Sequence, residues 1–142
     1  MAEEKQLDAL VVNVDKVKPL VFGDGYQSRM ILDHVITGRD GVIQMNHGTV
    51  PPHVDLGGAA HEEDEIYYIL KGNGKCVLGD KTVDVYDNQV IFIPKGTFHA
   101  LKNADSDQPL EILTFWKDYR YNDAYEARMN LWGKSFKTID ED

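Results

Sequence analysis

The chain holds a single cysteine, Cys76, among its 142 residues. An internal disulfide is therefore excluded, and nothing in the cysteine usage calls for an oxidising compartment. No apolar stretch approaches the ~20 residues needed to span a bilayer. The first residues, Met1-Ala2-Glu3-Glu4-Lys5-Gln6, lack the basic start and apolar run of a signal peptide. A cytoplasmic location is the resulting expectation. Positive charge is also scarce: 15 Lys and Arg face 24 Asp and Glu, for a formal net charge of −9. Such a chain repels a phosphate backbone and an anionic membrane surface, so neither nucleic acid nor membrane is expected as a partner. There is no internal repeat, low-complexity tract or linker.

What is present suits one folded domain spanning residues 1–142. The length falls within the usual single-domain range. Hydrophobic residues at 42% and charged residues at 27% argue against disorder and against a fibrous repeat. Residues 1–8 and 139–142 are polar or acidic and are expected to be flexible ends. Between them lie short β-favouring runs at 10–14, 17–22, 30–32, 41–45, 66–70, 75–78, 82–86, 90–93 and 110–116. Gly, Asn, Asp or Pro bounds each run. Gly72-Asn73-Gly74 and Gly79-Asp80 read as tight turns, because Gly and Asn tolerate positive φ. Many short strands at close spacing predict an all-β sandwich or barrel. The one helical candidate is a short C-terminal helix over 123–131, rich in good helix formers.

Two segments carry candidate chemistry. The first is His61-Glu62-Glu63-Asp64-Glu65. A histidine and a carboxylate four apart share one face of a helix. Here the segment runs into Ile66-Tyr67-Tyr68-Ile69-Leu70, which prefers strand. In a straight strand the two residues stand ~13 Å apart and cannot share an ion. Either the acidic stretch bends and brings them together, or it is a solvated loop. The second segment is Pro94-Lys95-Gly96-Thr97-Phe98-His99. A β-run ends at Pro94, Lys95-Gly96 turns the chain, and His99 opens the next strand. His99 there either points inward at a barrel rim or serves as a hydrogen-bonded structural residue.

Together the two segments resemble the paired motifs of the cupins, a superfamily of small β-barrels. The first motif runs Gly, five residues, His-x-His, three or four residues, Glu, six residues, Gly. His61, Glu65 and Gly72 match its second half in register. The second runs Gly, five residues, Pro-x-Gly, two residues, His, three residues, Asn. Pro94, Gly96, His99 and Asn103 match it in register. The pair covers residues 48–103. Two positions depart from the pattern. Ala59 stands where the first histidine of His-x-His belongs, and an alanine cannot bind metal. Asn88 replaces the opening Gly of the second motif, a change that Asn tolerates because it adopts left-handed turns. Gly48 precedes His53 by one residue less than the motif opening requires, which favours an insertion at Gly57-Gly58 that carries His53 into the vacant position. His47 is a weaker substitute, and His34 reads as a surface or structural residue.

The resemblance implies a cupin-type double-stranded β-helix, that is, a jelly-roll barrel. It also implies a divalent metal (Fe, Mn, Ni, Co or Zn) held inside by His61, Glu65 and His99, with His53 as the fourth candidate. Two histidines and one carboxylate leave positions open for substrate or oxygen. Alternation from Glu65 places Tyr67 on the same face. Tyr67 is accordingly the candidate catalytic hydrogen-bond donor, beside a packing role. Gln44 is a further candidate for the pocket wall. Trp116, Tyr119, Tyr121 and Trp132 suit barrel closure or a dimer surface, and Cys76 is expected to be buried and inert. Three functions follow as expectations. One is a metal-dependent enzyme acting on a small oxygenated molecule, of the isomerase, lyase, decarboxylase or cyclase type, or a dioxygenase if the metal is Fe. The second is a non-catalytic module that binds a sugar or small metabolite, which the alanine at position 59 favours. The third is a purely structural protein. The partner expected is a small-molecule ligand or substrate. A homodimer is expected as well, since the family is commonly dimeric and edge strands need cover.

Overall fold

The computed structural model describes residues 9–117, apart from 18, 24, 34–36 and 40. The expected helix over 123–131, the expected flexible ends, His34, Tyr119, Tyr121 and Trp132 lie outside the described residues.

Nine strands are described: β1 (Leu20–Val21), β2 (Gln27–Leu32), β3 (Ile43–Val50), β4 (Glu65–Lys71), β5 (Asn73–Leu78), β6 (Lys81–Tyr86), β7 (Val90–Ile93), β8 (His99–Lys102) and β9 (Leu110–Lys117). They form two antiparallel sheets. The large sheet has the order β1-β2-β3-β9-β4-β7 and the small one β6-β5-β8. From β4 onward the chain passes repeatedly between the sheets, as a jelly roll does. The fold is all-β, as expected.

One early run behaves differently. Residues 10–14 form no strand, and Val11 is 98% exposed. Asn13 instead caps a short 3-10 turn, Val14–Lys16, its side chain accepting from the Asp15 N–H at 3.2 Å. β-branched composition makes a strand only where a sheet edge is there to receive it.

The two sheets share one core. Val50, Ile69, Ile93, Leu110 and Ile112 from the large sheet meet Cys76, Val85 and Leu101 from the small one, all buried. Each fully buried aliphatic side chain contributes roughly 1.5–3 kcal/mol. Turn chemistry sets the hairpins. Gly79 takes φ 64° in the two-residue turn between Leu78 and Lys81, which pair across it. Asn88 takes φ 66°, the left-handed conformation that lets it stand in for glycine.

Cross-strand register sorts the inner face of the large sheet into rows. Glu65, Trp116 and Gln44 are aligned across β4, β9 and β3; Tyr67, Thr114 and Asn46 form the next row; Ile69, Ile112 and Gly48 the one after. The face is therefore polar at the Glu65 end and apolar at the Val50–Leu110 end. The connection from β3 to β4 lies along β8 and covers its free edge. Leu56 donates to the Leu101 carbonyl at 3.0 Å, and Asp55 and Ala59 form bridges with Lys102 and His99.

Candidate metal centre

His61, Glu65 and His99 converge at the polar end, where each offers a ligand atom within 4.8 Å of the others. Three local features bring them there. Glu65 is the first residue of β4, so its side chain takes the inward parity of Tyr67 and Ile69. His61 precedes the strand in a bend over Glu62-Glu63, and the four-residue separation is therefore not an extended one. His99 opens β8 after the turn at 94–97, closed by a Thr97 N–H to Pro94 carbonyl bond of 3.1 Å. That turn also holds the other motif. Gly96, at φ 80°, donates its N–H to the His61 carbonyl at 2.7 Å, and Lys95 donates to Asp64 Oδ1 at 2.9 Å.

Both imidazoles are oriented by the backbone. His61 Nδ1 lies 3.0 Å from the Glu63 carbonyl, and His99 Nδ1 lies 2.9 Å from the Thr97 carbonyl. A carbonyl only accepts, so each Nδ1 carries the proton and each Nε2 is turned to the centre. Both Nε2 atoms face the same carboxylate oxygen, Glu65 Oε1, at 3.0 Å from His61 and 3.3 Å from His99. His99 is buried, whereas the His61 side chain is one-third exposed at the rim. The rings meet edge to face, His61 on His99 at 4.8 Å and Tyr67 on His99 at 5.9 Å between centroids.

Electrostatics follow from this packing. Burial alone raises the Glu65 carboxyl, but hydrogen bonds from His61 and His99 and their charge outweigh it and hold it below the usual range. The hydrogen bond to Glu65 raises His61 above its ordinary value against the opposing effect of burial. Tyr67 is raised well above the ordinary phenol value, by burial first and the Glu65 charge second. Tyr67 therefore remains a protonated donor.

The donor set suits a divalent first-row metal. Two imidazole nitrogens and one carboxylate on one side, with their outer N–H groups fixed by carbonyls, are the arrangement such ions take. Two Nε2 atoms and a carboxylate oxygen facing one another form a place that a cation could occupy.

Comparisons with known proteins identify the family. The family model described as "Cupin domain" matches residues 46–116. An uncharacterised protein of Methanocaldococcus jannaschii is 34% identical over 101 residues, which cover 70% of this chain and 78% of that one. The chain is a cupin. Its fold is similar to that of a predicted oxalate decarboxylase from Thermotoga maritima, with TM-score 0.68, 23% identity and coverage of 76% of this chain and 98% of that one. It is also similar to the polyketide cyclase RemF from Streptomyces resistomycificus, with TM-score 0.69, 23% identity and coverage of 78% and 80%.

Within the cupin motifs, the structure brings three of the four expected ligands together and places the fourth elsewhere. His53 does not reach the centre. It sits at φ 64°, with its ring between the Ala104 carbonyl at 3.0 Å and Asp107 Oδ1 at 2.8 Å. Its N–H bonds to the carbonyls of Asn103 and Ser106. Asn103 lies four residues along from His99, a distance of ~13 Å in an extended chain. An extra residue does sit in the stretch of Gly57-Gly58, but it does not carry His53 to the centre. Asp55 pairs with Lys102 and Ala59 with His99, four residues against three, so the segment bulges by one residue and still sets Ala59 opposite His99.

His47 points outward from β3 beside Glu111, with Nε2 at 3.5 Å, and burial lowers its pKa. Gln44 is buried on the inner face in the row of Glu65. Asn103, the last motif position, has a structural role. Its amide reaches the carbonyls of Val50, Pro51 and Gln108 at 2.9–3.2 Å and fixes the ends of three segments. Sequence reasoning missed Ser28, Asn46 and Thr114, which are buried on the inner face. Ser28 donates to Asn46 Oδ1, and Asn46 Nδ2 donates to the Tyr26 hydroxyl at 3.3 Å. The signal available was the parity of β3, where Gln44 and Asn46 share the alternation of Gly48 and Val50. A concavity of about 960 Å³ on the outer side of the small sheet, flanked by Lys75, Asp84 and Lys102, includes none of the centre residues.

Proposed function

We propose that this cupin is a metal-dependent enzyme acting on a small oxygenated organic molecule, with the ion held by His61, Glu65 and His99. The observation that carries the reading is the convergence of both Nε2 atoms on Glu65 while both Nδ1 atoms are anchored to carbonyls. The ion, when bound, supplies a Lewis acid at a substrate oxygen, or a site for oxygen chemistry if it is Fe. The chain's own groups do the rest. Tyr67, kept protonated, donates a hydrogen bond to a substrate oxygen and thereby favours charge developing there. Gln44, Asn46 and Thr114 offer polar contacts on the inner wall, and Ile69, Ile112 and Leu110 behind them exclude water. The fold neighbours named for oxalate decarboxylation and polyketide cyclisation both concern oxygen-rich molecules, in line with an isomerase, lyase, decarboxylase or cyclase class, or a dioxygenase with Fe.

A second reading, a non-catalytic module that binds a sugar or small metabolite, is favoured by one feature: Ala59 gives the centre one ligand fewer than the full motif. Elemental analysis of the purified protein beside His61→Ala and His99→Ala separates the two. About one metal per chain, lost in both variants, supports the enzyme; its identity assigns the chemistry. A wild type that takes up no Fe, Mn, Ni, Co or Zn, yet binds a small ligand, supports the module. We further propose a homodimer, supported by exposed apolar side chains on the outer face of the large sheet, Phe92, Val90 and Ile66.

A further inference from the structure

Ala59 and His99 exchange both backbone hydrogen bonds, Ala59 N–H to the His99 carbonyl at 3.1 Å and the reverse at 3.0 Å. Residues paired in this way carry their side chains on the same face of the ladder. His99 uses that face to reach Glu65, so the Ala59 methyl borders the centre beside the His99 ring. Yet Ala59 is exposed, as are Gly57, Gly58 and Ala60 around it. Among the described residues, this flank of the centre is therefore walled by nothing larger than a methyl group and opens to solvent.

The opposite side is different. Gln44, Asn46, Thr114 and Ser28 are all buried on the inner face, within three rows of Glu65. Buried amides and hydroxyls orient ligand oxygens rather than hydrocarbon. Tyr67 adds a protonated phenol. The centre thus has an open flank and a wall of hydrogen-bonding groups.

We propose that Ala59 sets the ligand class of this centre: by leaving one flank free, it admits a small molecule that binds through two neighbouring oxygens at once, such as an α-hydroxy or α-keto carboxylate or an enediol. This rests on the metal reading above. Three protein donors leave up to three positions on a six-coordinate ion, and a fourth side chain at 59 would occupy one of them. With alanine there, adjacent positions stay available to a chelating pair of oxygens. The second oxygen then binds as an intramolecular partner of the first, at high effective concentration.

The test uses the full chain stripped of metal and reloaded with Co(II), whose visible absorption reports its ligands. Glycolate and acetate are titrated against it. Both carry one carboxylate and one negative charge, and only glycolate has a second oxygen placed to chelate. The wild type is expected to bind glycolate at least ~10-fold more tightly than acetate. In Ala59→His, Co(II) is expected to bind more tightly while the preference for glycolate falls to within ~3-fold. Ala59→Leu fills the flank without a donor atom; it is expected to leave Co(II) affinity unchanged and to lose the same preference. The inference is overturned if the wild type shows no preference, or if both variants keep it. The wild-type comparison stands even if a variant fails to fold. Absence of Co(II) binding to the wild type would overturn the metal reading itself, a result distinct from a loaded centre that ignores the second oxygen.

Discussion

At Glu65 a single carboxylate oxygen faces two imidazole nitrogens at 3.0 and 3.3 Å. Glu65→Gln keeps the shape and removes the charge. Metal affinity is expected to fall by at least ~100-fold, since outer contacts of a ligand alone are worth up to that much. Calorimetric titration with the metal found in the wild type would measure it, alongside a melting curve showing that the barrel persists. Cys76 gives an independent residue-scale prediction. It is fully buried, and burial pushes its thiol up to about 11. A disulfide reagent at about pH 8 should leave the folded protein unmodified and should titrate one thiol per chain after denaturation. Rapid modification of the native protein would contradict the closed core. At this scale the sequence was partly legible. Alternation from Glu65 carried Tyr67 to the inner face, and motif spacing picked out His61 and His99. His53 was misplaced because counting residues shows how far the chain can reach, not which residue it pairs with; Ala59 held the register opposite His99 and left His53 at the far end of β8.

Among the elements, the passage from β4 to β5 is the most constrained joint. Gly72 takes φ 121°, and a Cβ placed there would stand 2.7 Å from the Pro109 carbonyl and 3.0 Å from the Leu110 Cα. Its N–H bonds to Asp87 Oδ1 at 2.8 Å. Both obstacles are backbone atoms, which cannot swing aside as a side-chain tip can. Gly72→Ala is therefore expected to destabilise the fold by about 1–3 kcal/mol, measured by urea unfolding. A near-neutral result would mean that the β4–β5 joint relaxes freely. Strand positions were largely readable, because each run in the barrel has alternation on one side and a turn residue at its end. Residues 10–14 misled for a reason of context: their β-branched side chains favour strand, but no described sheet edge pairs with them. The buried polar rows of β3 and β9 were hidden for another. A buried Asn or Thr cannot be told from an exposed one until the register across the neighbouring strand is known.

On the scale of the whole molecule, two outer features bear on assembly and stability. Phe92 and Ile66 pair across β7 and β4, and Phe115 lies beside Ile66 on β9. This apolar row on the outer face, ending at an edge strand, suits association with a second copy. Phe92→Glu should then lower the mass seen by sedimentation equilibrium, while an unchanged mass would place any dimer elsewhere. The centre also couples the molecule to pH with opposite signs in its two states. Without metal, His61 is raised by Glu65, so the pair's contribution is fully present below the unfolded histidine value of 6.5 and is lost as pH rises through the folded value. Glu65 is lowered, so its share is present above its unfolded value of 4.5 and is lost as pH falls through the folded one. The metal-free protein should therefore gain most from this cluster between those limits and less at about pH 8. With metal the dependence on His61 reverses. The ion needs the Nε2 lone pair, and a raised His61 holds its proton against the ion until higher pH. Since a ligand stabilises by RT ln(1 + [L]/Kd), the metal-induced rise in Tm should grow from about pH 6 to about pH 8. Melting curves of the stripped and loaded protein across that interval should diverge. Parallel curves would show that protons and metal do not compete at His61 and would remove it from the ligand set.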